Sequence, residues 1–423
     1  MQLSKFGTKF TARTGILELM DDLAHAFGGK ERMYMLGGGN PAFIPEVQHI
    51  FKERMRKILE KPGEFERMIG NYDGSQGYIP FLESLTKFLN AKYKWGLSSE
   101  NIAITSGSQE GFFILFNMFA GEFNKGKKKK ILLPLAPEYI GYADQGISEN
   151  LFVSFRSKIK YLDKHTFKYE INFSKVEKYV EKNKEKIAAI CVSRPTNPTG
   201  NVISDNEVEF LSNLSKKNNL YLIIDNAYGE PFPNILFTKA KLIWNKNIIL
   251  SMSLSKLGLP STRTGIIIAD REVIQAIKSI NAILILASGS IGQIITYPLF
   301  KNARILRICD KYINPFYRKK SELALLYIKK YFDDSLPYYV HKSEGALFLW
   351  LWFKDFPITT KELYERLKKR KVIVVPGQYF FPGLKANWKH KHECIRITYS
   401  QNSEDVEMGI KIIGEEVRKA YKN

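Results

Sequence analysis

The segment Ile187-Ala-Ala-Ile-Cys-Val-Ser-Arg-Pro-Thr-Asn-Pro-Thr-Gly200 decides how the chain is read. Ile187–Val192 is an apolar run of strand length, and the two prolines and the glycine that follow stiffen a turn. A helical pattern, Asp205–Lys217, comes next, and then another apolar run, Leu220–Ile224. Strand, turn, helix and strand in that order predict a parallel crossover. Working outward, Ile102–Ile104, Ile131–Leu135, Phe152–Phe155, Ile248–Leu250 and Ile266–Ala269 read as further strands. Helices ending at Phe119 and over Phe173–Lys184 lie between several of them. The alternation predicts an α/β fold with a mostly parallel sheet, its site formed by loops at the strand carboxyl ends.

Outside this core the pattern changes. Val47–Glu60 and Ile79–Lys92 read as helices, and Ile16, Leu17, Leu19, Met20 and Leu23 give one apolar helical face. Beyond about Ser290, the long helical stretches Ile305–Tyr331 and Thr359–Lys371 mix with strand-like Ala346–Phe353, Val372–Val375 and Cys394–Tyr399. A smaller α+β domain is expected there, joined by the N-terminal segment folding back. The expected division is residues 1–50 as an N-terminal arm and part of the small domain, 51–300 as the large domain, and 301–423 as the C-terminal small domain.

Composition narrows the class. A chain of 423 residues with 44% hydrophobic and 13% aromatic content buries a large core. The net charge of +21 would permit attraction to nucleic acid, but the basic residues are dispersed. The dense run Lys127–Lys130 reads as a solvated turn before a strand, so no specific nucleic-acid partner is expected. Cys191, Cys309 and Cys394 are far apart, with no CxxC pair and no histidine at metal spacing, which points to a reduced compartment and no metal site. Neither a signal-type apolar region nor a run of transmembrane length is found, so cytoplasmic residence without membrane association is expected.

The chemistry concentrates in strand-end loops. In Ser251-Met-Ser-Leu-Ser-Lys-Leu-Gly-Leu-Pro-Ser-Thr-Arg-Thr-Gly265, Lys256 stands among serines, with Arg263 ahead of the next apolar run. An amine beside hydroxyls and a guanidinium suits a carbonyl cofactor that also carries phosphate, and a solvated loop lysine is the plainer alternative. Asp225 closes the strand Tyr221–Ile224, where an acid serves either as turn former or as partner of a cation. Thr105-Ser-Gly-Ser-Gln109 lies between a strand and a helix, where free N–H groups hold anions. Arg396, between Ile395 and Ile397, is either a salt-bridge partner or a carboxylate receptor.

Gly39-Asn-Pro41, Asn71-Tyr72, Ser106-Gly-Ser-Gln109, Pro137-Glu-Tyr139, Asn197-Pro-Thr-Gly200, Asp225-Asn-Ala-Tyr228, Ser253-Leu-Ser-Lys256, Arg263-Thr-Gly265, Pro376-Gly377 and Arg396 occur in this order. The chain thereby resembles the fold-type I, pyridoxal-phosphate-dependent aminotransferases over nearly its whole length. The resemblance implies that Lys256 bonds the cofactor and shuttles the proton, and that Asp225 pairs with the ring nitrogen. It implies that Tyr228 and Asn197 hold the ring oxygen and that Tyr139 stacks on the ring. Ser108, Gln109, Ser253 and Arg263 are implied to hold the phosphate, with Tyr72 reaching across from the second subunit of a homodimer. Arg396, with Gly39 and Asn197, is implied to take the substrate carboxylate. The wording of Leu36–Pro41, Pro134–Asp144, Val192–Val202, Ile224–Gly229 and Leu349–Phe353 is closest to members acting on small neutral amino acids. Valine or alanine, with pyruvate or 2-oxoisovalerate, is what that closeness implies, in a two-stage exchange. Two other readings share the scaffold: a lyase or decarboxylase using the same cofactor contacts, and a cofactor-sensing transcription regulator. The first 35 or so residues are too few for the regulator's DNA-reading module and carry no recognition-helix pattern.

Overall fold

The computed structural model describes residues 1–12, 14, 15, 17, 20, 21 and 32–422. Of the helical face expected near the N-terminus, Ile16, Leu19 and Leu23 lie outside the described residues. After a short strand β1 (Tyr34–Met35), the chain lays down β2 (Ile102–Ser106), β3 (Gly121–Glu122), β4 (Lys128–Ala136) and β5 (Phe152–Arg156). A hairpin, β6 (Lys158–Tyr161) and β7 (Thr166–Glu170), is followed by β8 (Ile187–Ser193), β9 (Tyr221–Asp225), β10 (Ile248–Ser253) and β11 (Thr264–Ile268). Apart from the hairpin and β1, these form one sheet in the order β2-β11-β10-β9-β8-β4, with β3 and β5 both against β4. The pairs β10/β9, β9/β8, β8/β4 and β4/β5 are parallel, whereas β11 runs against both its neighbours.

The central strands are apolar at nearly every position because both faces are covered. Ile190, Leu222, Ile224, Leu250 and Ile266 face one core; Ala189, Cys191, Ile223, Ile249 and Ile267 face the other. The pleat alone divides them. Register then sets the site: Ser193, Asp225 and Ser251 are neighbours on β8, β9 and β10. Helix starts are fixed locally, as at Asp205–Lys217, where Ser204 and Glu207 cap each other reciprocally.

The second sheet takes β12 (Tyr338–His341), β13 (Phe348–Phe353), β15 (Val375–Pro376) and β16 (Cys394–Thr398), and the hairpin β6–β7 completes it. That hairpin lies inside the span read as the large domain, yet its β7 pairs with β12. The N-terminal segment does fold back: β1 pairs with β14 (Val372–Ile373), and the Leu36 carbonyl accepts Thr398 N–H at 2.8 Å. It continues past the sheet edge, where the Asn40 carbonyl accepts the Ser400 hydroxyl and Ala42 N–H donates to Tyr317 Oη, each at 2.8 Å. The helix expected over Ile305–Tyr331 is two helices, Arg304–Ile308 and Asn314–Tyr331, with a π-turn at Cys309–Ile313. Pro315 has no N–H to give the preceding turn, so the ladder widens there.

Candidate active site

The carboxyl edge of the first sheet carries Lys256, Asp225, Ser253 and the Gly107 turn, and Arg396 faces them from β16. β10 ends at Ser253, and one 3₁₀ turn, Ser255–Leu257, presents Lys256 before Gly258 at φ +113° lets the chain reverse. Lys256 Nζ donates to the Gly39 carbonyl at 2.7 Å, which ties the N-terminal segment across the site. Burial pushes the ammonium down to about 8, the nearby charges of Arg396 and Arg263 push the same way, and Asp225 opposes them. An amine in that range has a usable neutral fraction near pH 7.

Asp225 is 9% exposed. Its carboxylate accepts the Tyr142 hydroxyl at 2.7 Å and Ala227 N–H at 3.1 Å. Burial raises its carboxyl to about 6, against those two bonds and Lys256. The turn-former role is real, through Ala227, but the burial goes beyond what a turn requires. Tyr228 is buried, its ring 5.7 Å from Lys256 Nζ and edge-on to Phe348.

Arg396 lies on β16 and is 2% exposed. Its guanidinium donates to Asn197 Oδ1 at 2.8 Å and to the Gly37 carbonyl at 2.6 Å, and it lies over Phe348 and Phe380 at 4.2 and 5.2 Å. Among the described residues it has no ion pair, and its Nε has no partner. Burial lowers it to about 10. A cation held by neutral acceptors between two rings is suited to a carboxylate, and the described residues offer it no salt-bridge partner. With Asn197 Oδ1 committed to Arg396, the Asn197 amide N–H groups are left for a ligand.

The anion cradle is built from Gly107 onward. The helix Ser108–Phe119 starts without a side-chain cap, leaving the N–H groups near Ser108 and Gln109 at its positive end. Arg263, in the left-handed region at φ 45°, donates to the Ser106 carbonyl at 3.3 Å. A Cβ on Gly107 would lie 2.1 Å from its Nη2. Ser253 Oγ donates to Ser255 Oγ at 3.0 Å. The Gln109 side chain donates to the Gly141 carbonyl at 3.1 Å and so braces the turn that carries Tyr139.

Gly39 meets Lys256, and Gly37 meets Arg396. Tyr72 is 83% exposed and makes no hydrogen bond to any of these residues within its own chain. Sequence reading also missed Glu138, Tyr142 and Ser193, which lie behind Asp225, and the rings of Phe348 and Phe380 around Arg396. No pattern in the sequence marked Tyr142, which the 3₁₀ turn Ile140–Tyr142 sets edge-on to Tyr139.

The donor set fits pyridoxal phosphate. Uncapped helix N–H groups with Arg263 and Ser253 suit a phosphate, a buried carboxylate suits a cationic ring nitrogen, and a desolvated amine suits a carbonyl carbon.

The sequence profile of Aminotransferase class I and II matches residues 45–413. The valine–pyruvate aminotransferase of Escherichia coli is 48% identical over 421 residues, covering 100% of this chain and 99% of that protein. A crystal structure of a valine–pyruvate aminotransferase from Salmonella typhimurium superposes with a TM-score of 0.88 at 46% identity, covering 96% of this chain and 100% of that one. One solved from Psychrobacter arcticum as an amino-acid aminotransferase superposes at 0.97, also at 46% identity and covering 100% of both chains.

Proposed function

The chain belongs to the class I and II aminotransferases, whose cofactor is pyridoxal phosphate, and from that premise we propose that it exchanges an amino group between valine or alanine and a 2-oxo acid, pyruvate or 2-oxoisovalerate. The observation that carries the substrate class is the setting of Arg396, one buried guanidinium beside the phenyl rings of Phe348 and Phe380. It offers a fork for one carboxylate and apolar walls for a small side chain. The names of the relatives at 48% and 46% identity support the choice of valine and pyruvate.

Arg396 binds and orients the substrate carboxylate. Phe348, Phe380 and Tyr228 exclude water from its surroundings. Lys256 holds and moves the α-proton on Nζ, a task suited to an amine lowered to about 8. Asp225 would hold the ring nitrogen of the cofactor, and Tyr228 and the Asn197 amide would hold the ring oxygen. Tyr139 would cover the ring face, while Ser108, Gln109, Ser253 and Arg263 would hold the phosphate. The cofactor, when bound, supplies the sink for the electron pair left by the departing proton. The active unit in this reading is a cytoplasmic homodimer. Free buried Cys191, Cys309 and Cys394 support the compartment, and no described helix is long and apolar enough to cross a membrane.

The visible absorbance of cofactor-loaded protein tests the reading. It should bleach with valine or alanine, return with pyruvate or 2-oxoisovalerate, and respond far less to aspartate. A response confined to other amino acids, or release of carbon dioxide or ammonia in place of a 2-oxo acid, would overturn it.

A further inference from the structure

Behind Asp225 lies a second buried acid that the mechanism does not use. Glu138, 1% exposed, follows β4 and Pro137. Its Oε1 accepts Ser193 N–H at 2.9 Å, and its Oε2 lies 2.6 Å from Ser193 Oγ and 3.3 Å from Tyr139 N. Ser193 Oγ lies 3.2 Å from Tyr142 Oη, and Tyr142 Oη lies 2.7 Å from Asp225 Oδ2. The titratable groups facing Glu138 are Asp225, Cys191, Tyr142 and Tyr139, and among the described residues no cation pairs with it.

Counting hydrogens places one proton on the pair of acids, and the Lys256 charge beside Asp225 assigns it to Glu138, which among the described residues has no cation near it. Ser193 and Tyr142 each own one hydroxyl hydrogen. If Glu138 were ionised, Ser193 would donate to it and Tyr142 to Asp225, leaving the Ser193–Tyr142 contact with two lone pairs and no hydrogen. A proton on Glu138 repairs the chain: Glu138 O–H donates to Ser193 Oγ, Ser193 O–H to Tyr142 Oη, and Tyr142 O–H to Asp225. It also avoids two like charges in one dry region. Burial, the largest influence on Glu138, pushes its carboxyl up to about 8, so the neutral acid is the neutral-pH form.

We propose that Glu138 is a positioning residue that works as a neutral acid, feeding a one-way hydrogen-bond chain through Ser193 and Tyr142 that keeps Asp225 ionised and aimed at the cofactor. The proposal rests on Asp225 being the cofactor's partner, but its test needs no amino acid, so it stands or falls apart from the substrate reading.

Glu138→Gln reproduces the neutral acid's two contacts with Ser193, the amide oxygen accepting Ser193 N–H and the amide N–H donating to Ser193 Oγ, and gives up only the long Tyr139 N–H contact. In cofactor-free protein, the wild-type minus Glu138→Gln infrared difference at neutral pH should show the carbonyl stretch of a protonated carboxylic acid. Glu138→Ala should weaken pyridoxal-phosphate binding about tenfold, the loss of one buried hydrogen bond passed to a charged group, and Glu138→Gln should restore it to within about twofold. A difference spectrum of ionised carboxylate, or a Gln variant as impaired in cofactor binding as the Ala variant, would overturn the proposal. Should the Ala variant fail to fold, the infrared difference and the binding constant of the Gln variant still decide.

Discussion

At the scale of the residue, Lys256 carries a charge where folding would favour none. Its neighbours Arg396 and Arg263 repel it, burial disfavours it, and Asp225 compensates only in part. The folded value, about 8, lies below the ordinary 10.5, so the unfolded chain binds more protons between those values and stability rises with pH across that window. Below it, the charged amine costs stability in full. Lys256→Met keeps the volume and drops the charge, and it should stabilise the cofactor-free protein at pH 7 by about 1–3 kcal/mol, a range discounted for the site's partial exposure. Denaturant midpoints measured from pH 7 to pH 10.5 should show the advantage fading as pH rises. A gain independent of pH would assign it to packing. The Ser, Gly and Arg around Lys256 at the end of an apolar run mark it in the sequence, and its burial beside Asp225 departs from the solvated-loop alternative. Glu138 and Tyr142 were not legible there, because a lone Glu after a strand carries no mark of being buried; only the register of β8 and β9 sets Ser193 beside Asp225, so that Ser193 links Glu138 to Tyr142 and Tyr142 reaches Asp225.

At the scale of the element, the strand-to-helix turn at Gly107 joins fold and site. Gly107 sits at φ +82°, ψ 162°, and the Arg263 guanidinium fills the space where its Cβ would be. Gly107→Ala therefore strains the backbone by about 1–3 kcal/mol and drives the flexible Arg263 away from the uncapped helix end. Cofactor titration should show affinity falling about tenfold or more, the loss of a charge-assisted contact, alongside a lower denaturant midpoint. A midpoint that falls while affinity stays unchanged would remove Arg263 from the anion cradle. Elements with strong periodicity were legible: Asp205–Lys217 emerges with the bounds read from its helical pattern, and β8, β9 and β10 emerge from their apolar runs. The hairpin β6–β7 was not. Lys158-Ile-Lys-Tyr161 alternates charge with apolar residues on an exposed edge, so it lacks the apolar run that marked the others. The π-turn also escaped, because an apolar pattern carries through Ile305–Tyr331 while the backbone ladder does not.

At the scale of the whole molecule, an exposed apolar face bears on how the site is completed. Tyr72 and Ile79 stand on one loop and helix start; Ile283, 85% exposed, with Leu286 and Ile291, stands on the helices Arg271–Leu284 and Ile291–Phe300 and the turn between them. The two regions are tied together: Tyr78 N–H donates to Gln293 Oε1 at 2.8 Å, and the Asn281 amide donates to the Ser75 carbonyl at 3.1 Å. Apolar groups this exposed and this close favour covering by another chain, and a second copy with two-fold symmetry would supply its own Tyr72. If the partner's Tyr72 completes the cradle that holds Arg263, each site draws Lys256 from one protomer and Tyr72 from the other. Mixing two separately inactive variants then has a definite result. In a dimer of Lys256→Ala with Tyr72→Ala, one site bears both lesions, whereas the other has an intact Lys256 and faces an intact Tyr72. Activity should therefore reappear on co-refolding or subunit exchange, up to about half that of an intact dimer. If Tyr72 served the site of its own chain, each site of the mixed dimer would keep one lesion and no activity would return. Mixed dimers isolated with two distinct affinity tags separate the two outcomes, and a mixture that stays inactive as a verified heterodimer would exclude the shared site.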